Sequence, residues 1–114
     1  MKIFDWAKEI SIPVTICDKN GLIIYMNYAS IKQFHNDGGK DLIGKSLLDC
    51  HPEPAKTKLL ELLNTQKENS YITEKNGITK LIHQFPFYED GNFAGLVEIT
   101  LVMKENIINQ LKNS

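Results

Sequence analysis

An α+β fold is predicted, with a five-stranded antiparallel sheet and its helices gathered on one face. Apolar runs rich in β-branched residues are paired across Asn20-Gly21, Asn76-Gly77 and Asp90-Gly91. Such turns accept positive φ and join antiparallel neighbours. Helical periodicity is concentrated between the second and third runs, so these helices form one layer. The chain has 114 residues, 42% of them hydrophobic. That suits one domain able to bury a core without disulfide or metal staples.

The elements follow in order. Ile3, Trp6, Ala7 and Ile10 fall at helical spacing and predict a short amphipathic helix over 3–10, ended before Pro13. Val14-Thr15-Ile16-Cys17 and Leu22 to Met26 read as a hairpin around Asp18-Lys19-Asn20-Gly21. Asn27 is placed to cap a helix over about 28–35, whose one face carries Tyr28, Ile31, Phe34 and His35. Asn36-Asp37-Gly38-Gly39 stops it, and 41–49 reads as short helical turns. His51-Pro52-Glu53-Pro54 forms a corner, and Pro54 opens the clearest helix, which runs to about Lys67 with Ala55, Leu59, Leu62 and Leu63 on its apolar face. Three strands follow, over 70–74, 78–88 and 93–103. A closing helix is expected over 104–112, with Ile107, Ile108 and Leu111 on one side.

Composition narrows the function. Thirteen basic residues, all lysine, oppose fourteen acidic ones, for a net charge of −1. No charge excess points to nucleic acid or an anionic membrane, and arginine, the usual reader of phosphate and guanine, is absent. No apolar run approaches the ~18 residues of a membrane span. Cys17 and Cys50 are too few for a disulfide scaffold or a four-cysteine zinc site. The N-terminus lacks the apolar stretch of a signal peptide. A cytoplasmic protein is expected, and the Met1 start fits one that stands alone.

The order of elements, with four local patterns, resembles the PAS domain, a sensory module of bacterial signalling proteins. The patterns are Asp18-Lys19-Asn20-Gly21 leading to Asn27-Tyr28-Ala29, then Asp41-Leu42-Ile43-Gly44-Lys45-Ser46-Leu47, then Phe85-Pro86-Phe87 before Asp90-Gly91-Asn92-Phe93-Ala94-Gly95, then Leu96-Val97-Glu98-Ile99-Thr100. Cys50-His51-Pro52, with His83 on the fourth strand, is similar to a bacterial and archaeal PAS subset carrying Cys-His-Pro. The resemblance covers about 13–103 of a single domain, 1–114. It implies that the first and last strands are central neighbours. It also implies a sensory module that binds a small ligand or a protein partner and acts through dimer or partner contacts. The usual Asp-Ile-Thr ending of the family is replaced by Leu101-Val102-Met103.

Candidate site residues follow from faces and chemistry. A mainly apolar cavity between sheet and helices is expected, lined by some of Tyr25, Phe34, Leu47, His83 and Phe85, with Cys50 and His51 near one end. In strand period His83 shares a face with Leu81, Phe85 and Phe87. Either it is a satisfied core histidine or it offers a polar contact to a ligand. A metal site from Cys50, His51 and His83, with Glu53 as fourth ligand, lacks zinc-ligand spacing. Haem is the PAS-like alternative cofactor, with His51 as axial ligand and His35 as the other candidate. The Asn-Cys-Arg-Phe-Leu-Gln stretch of flavin-binding PAS domains is missing, which speaks against flavin. No nucleophile elbow or phosphate loop is present, so catalysis is not expected. Ile3, Trp6, Ala7 and Ile10 are the expected dimer contacts, with Trp6 as anchor, because isolated short helices are marginal in water. The alternative to this dimer contact is that Trp6 covers the chain's own sheet; the alternative to a ligand-binding sensor is a structural dimerisation module without ligand.

Overall fold

The computed structural model describes residues 5–104 and 109–110, with only the backbone at Cys50. Five strands form one sheet: β1 (Val14–Asp18), β2 (Ile23–Met26), β3 (Asn69–Lys75), β4 (Ile78–Glu89) and β5 (Asn92–Met103). Their order is β2-β1-β5-β4-β3, and every neighbouring pair is antiparallel. The first and last strands are central neighbours, as the resemblance implied. Between β2 and β3 lie α1 (Tyr28–Gln33), two 3₁₀ turns, α2 (Leu47–Cys50) and α3 (Ala55–Thr65). With eleven residues, α3 is the longest helix described.

Local chemistry explains the hairpins. Asp18 turns its carboxylate onto its own loop, accepting from the Asn20 amide at 2.9 Å and the Leu22 amide at 3.0 Å. Asn76 and Gly77 carry φ of 54° and 76°, and Asp90 and Gly91 carry 51° and 81°. Two successive positive values form the tight turn whose twist matches a hairpin. Helix layer and sheet meet in two apolar clusters. Cys17, Leu62 and Leu96 form one, and Ile23, Met26 and Leu42 the other.

The N-terminal segment departs from expectation. Over its described residues, the helix predicted for 3–10 is a run of turns and bends. Its carbonyls are taken by other elements. The Asn27 side chain donates to the Ala7 and Ile12 carbonyls, both at 2.8 Å, and the Tyr28 amide donates to Lys8 at 3.1 Å. Those bonds outcompete a short helix that is marginal by itself. Ile3 lies outside the described residues, as do Ile107, Ile108 and Leu111 of the predicted closing helix. Asn109 and Gln110 are helical.

The two edges of the sheet differ. Beside β2 runs the 44–47 segment: the Gly44 amide donates to Ile23 at 2.7 Å, the Ile23 amide to Lys45 at 2.9 Å, and the Leu47 amide to Gly21 at 2.8 Å. At the other edge β3 pairs, among the described residues, with β4 alone, and its side chains from Ser70 to Lys75 are exposed.

Candidate functional site

Antiparallel register places one row of polar side chains across the inner face of the sheet. Asn69 of β3 faces Gln84 of β4, Gln84 faces Glu98 of β5, and Glu98 faces Thr15 of β1. The row is hydrogen-bonded in sequence. Asn69 Nδ2 donates to Gln84 Oε1 at 2.8 Å, which turns the other end of the amide onward. Gln84 Nε2 then donates to Glu98 Oε1 at 2.9 Å. Thr15 shares a hydroxyl hydrogen bond with Ser30 of α1.

Over this row lies a cavity of about 380 Å³. Ile23, Met26, Phe34, Leu42, Leu47 and Leu59 supply much of its apolar wall. Its polar lining is Thr15, Gln84, Glu98, His51 and the exposed Asp37. A largely apolar space with a few convergent polar groups is the usual form of a small-molecule site.

His51 follows α2 at the proline corner. Its Nδ1 bonds the Leu47 carbonyl at 2.8 Å. A carbonyl can only accept, so Nδ1 carries the proton, and Nε2 is the basic nitrogen of the neutral ring. Glu98 is the perturbed acid of the site. Burial pushes its carboxyl above the ordinary glutamate range, while the Gln84 hydrogen bond and the charge of His51 pull it partly back. Burial likewise raises the Cys17 thiol in the cavity wall, so it stays protonated and inert.

The pH consequence has a definite sign. The folded-state value of Glu98 lies above that of an unfolded chain, ordinarily 4.5. Ionising it therefore opposes folding. The stability from the neutral acid is complete below that ordinary value and is lost as pH rises through the raised one. Glu98→Gln should match wild type near pH ~4 and exceed it near pH ~8, compared by urea midpoints across that window. A variant less stable than wild type at the upper end would make the carboxylate a net stabiliser instead.

Of the residues expected to line the cavity, Phe34, Leu47 and His51 do so. The side chain of Cys50 lies outside what the structure describes. Tyr25, His83 and Phe85 are corrected: they occupy the opposite face of the sheet. Residues 82 and 84 are the buried ones of β4, which turns His83 and Phe85 outward. There His83 stacks on Phe85 at 5.4 Å, bonds Ser70 and faces Glu68 at 3.2 Å. Tyr25 is displaced by a bulge. Thr15 pairs with Met26 and Ile16 with Tyr25, but Cys17 pairs with Ile23, so Ile24 is the extra residue. Ile23 and Met26 therefore both face the core. Outside, the Tyr25 hydroxyl donates to the Asp5 carboxylate at 3.0 Å, and burial together with that carboxylate pushes its pKa up to about 12. His51 and His83 stand on opposite sides of the sheet, so they cannot ligate one metal.

Gln84, Glu98 and Thr15 were missed from the sequence. The available clue was Glu98 itself, an acid between Val97 and Ile99 in a strand otherwise built for burial.

Trp6 is 65% exposed, while the adjacent Ala7 is buried at 9%. Trp6 does not cover its own sheet.

No known family profile matches this sequence, and no curated protein does. Solved structures do match its shape. A C-terminal domain from Streptococcus mutans superposes with a TM-score of 0.70 at 18% identity, covering 90% of this chain and 83% of that one. The PAS domain of BvgS from Bordetella pertussis gives 0.63 at 15% identity, covering 93% and 88%. The Aer2 receptor from Vibrio cholerae, described as a dual PAS-heme oxygen sensor, gives 0.61 at 14% identity, covering 82% and 95%. The chain has the PAS fold.

Proposed function

We propose that this chain is a non-enzymatic sensory module that takes a small ligand into the cavity between its sheet and helices. The observation that carries this reading is the cavity of about 380 Å³ with a hydrogen-bonded acid in its floor. That volume is at the small end of the ~300–1,000 Å³ typical of ligand pockets. A PAS-heme oxygen sensor among the structural neighbours supports the same reading. A ligand would act by favouring one packing of sheet and helices over another, and a second copy or a signalling partner would read the difference. The buried free thiol of Cys17 fits a reducing compartment, as in the cytoplasm. A net charge of −1 without arginine favours small molecules and proteins over nucleic acid as partners.

The test is a fragment screen by ligand-observed NMR on wild type and on Leu59→Phe, which enlarges a side chain of the cavity wall. Wild type should take up small, mainly apolar fragments, and the variant should lose at least about tenfold in affinity, or ~1.4 kcal/mol. A wild type that takes up none would sink the proposal.

A haem sensor is the second reading, and His51 favours it. Its Nδ1 is held by Leu47, which leaves Nε2 for an axial bond. The rest of the lining does not fit. Haem brings two propionates, whereas among the described residues the charged lining is Asp37, Glu98 and one histidine, with no lysine. A visible spectrum of the same sample should therefore show no Soret band, with or without added haem. A band that His51→Ala abolishes would reverse this judgement.

Self-association is part of the proposal. The outer face carries Ile16, Phe85, Val97, Ile99 and Leu101, only half-buried, and Trp6 stands exposed nearby in sequence to its Asp5–Tyr25 anchor. Exposed apolar surface of this extent suits an isologous contact. Light scattering should give a dimer at tens of micromolar for wild type and a shift toward monomer for Trp6→Ala. A monomeric wild type would refute the dimer, and a fully dimeric variant would move its anchor away from Trp6.

A further inference from the structure

We infer that the cavity selects a small apolar molecule bearing one protonated amine, which docks on the free oxygen of Glu98. This rests on the ligand-binding reading given above and names the chemistry of its ligand.

The polar row leaves little choice of orientation. Asn69 donates to Gln84 Oε1, which fixes the amide, and Gln84 Nε2 donates to Glu98 Oε1. Glu98 Oε2 has no hydrogen bond among the described residues, and Glu98 lines the cavity. Thr15 is engaged by Ser30. His51, held through Nδ1 by Leu47, has an acceptor at Nε2 in its neutral form. The cavity thus offers acceptors at the Glu98 oxygen, the imidazole nitrogen and, at its exposed side, the Asp37 carboxylate. The spare N–H of Gln84 is the chief donor to match them. A ligand head rich in donors complements this set, and an ammonium carries three.

Charge points the same way. Asp37 and Glu98 line the cavity, with no lysine beside them among the described residues. An anionic head would meet two carboxylates. A cation would supply a counter-charge directly at the free oxygen of a partly buried, ionised Glu98. The remaining lining is apolar, from Phe34 and Leu42 across to Leu59 and Leu96, and would hold a ring or short hydrocarbon.

Three probes share one apolar frame and differ in head group: 2-phenylethylamine, 2-phenylethanol and phenylacetate. Their affinities are measured by calorimetry at about pH 8, where a primary amine keeps its proton and a carboxylic acid has lost its own. The amine should bind at least about tenfold tighter than the alcohol, and phenylacetate weakest, because a charge-assisted hydrogen bond exceeds a neutral one. In Glu98→Gln, amine and alcohol should differ by less than about threefold. An alcohol or carboxylate that matches the amine on wild type overturns this inference and leaves the ligand-binding reading standing. An amine preference that persists in Glu98→Gln also overturns it, since another group would then make the selection. If none of the three binds, the ligand-binding reading falls and this inference falls with it. The ranking on wild type decides the matter even if the variant is poorly folded.

Discussion

Asn27→Ala should lower the stability of this protein by about 4 kcal/mol, most of what a small domain has. The side chain is 1% exposed and uses all of its hydrogen-bonding capacity. Oδ1 accepts from the Val14 and Ser30 amides, each at 2.9 Å. Nδ2 donates to Ala7 and Ile12, each at 2.8 Å. One residue thus caps α1, starts β1 and ties down the 5–12 segment. Losing a helix cap alone costs ~1 kcal/mol. Each further backbone group left buried without a partner adds ~1–3 kcal/mol, tempered where water can enter. Urea unfolding should show a large fall in midpoint, and limited proteolysis should cut first near Ala7. A loss below ~1 kcal/mol would mean that the segment is held by other contacts.

Gly95→Ala should be about as severe, for a different reason. A Cβ at residue 95 would lie 1.9 Å from the Cys17 carbonyl oxygen and 2.9 Å from both the Cys17 carbonyl carbon and Phe87 Cε1. Gly95 pairs with Asp18 on one side and Phe87 on the other, so it sits between two hydrogen-bonded neighbours. Relief requires β1 and β5 to part at the centre of the sheet. Overpacking usually costs ~1–3 kcal/mol where side chains can yield, and backbone yields less, so roughly 3 kcal/mol or more is expected. Gly77→Ala is the comparison. At φ 76° it also resists a side chain, but nothing stands within 4 Å of the added carbon. It should cost only ~1–2 kcal/mol, the price of left-handed backbone alone. Equal losses at the two sites in thermal or urea unfolding would refute the steric account.

The sequence made the architecture legible where short-range chemistry decides it. Asn76-Gly77 and Asp90-Gly91 could hardly do anything but reverse the chain, and Asn27 stood at a strand end with a helical pattern after it. Facing was harder to read. Around β4 both alternating sets, Ile82 and Gln84 or His83 and Phe85, contain hydrophobic and polar members, and the inner set turned out to carry the acidic row's amide. Strand period cannot choose between faces when both are half apolar. The extra residue in β2 moved Tyr25 out of phase with Ile23, and no local pattern announces such a bulge. The N-terminal period was present, but periodicity does not record that Asn27 claims the carbonyls a helix would need. Glu98 draws its importance from Gln84, fourteen residues away, and from the cavity that α3 covers.

The unequal edges of the sheet limit how large an assembly could grow by strand addition. Pairing between copies needs an unoccupied row of backbone donors and acceptors. The 44–47 segment occupies that row at Gly21 and Ile23, the start of β2, whereas among the described residues β3 leaves its whole outer row open. Two copies meeting along β3 would form a ten-stranded sheet whose two remaining borders are each obstructed by the 44–47 segment at the start of β2. Such growth favours a pair, because a third copy would meet the 44–47 segment where its strand has to begin pairing. A filament needs two complementary open ends on every subunit, and the described residues bring one fully open edge.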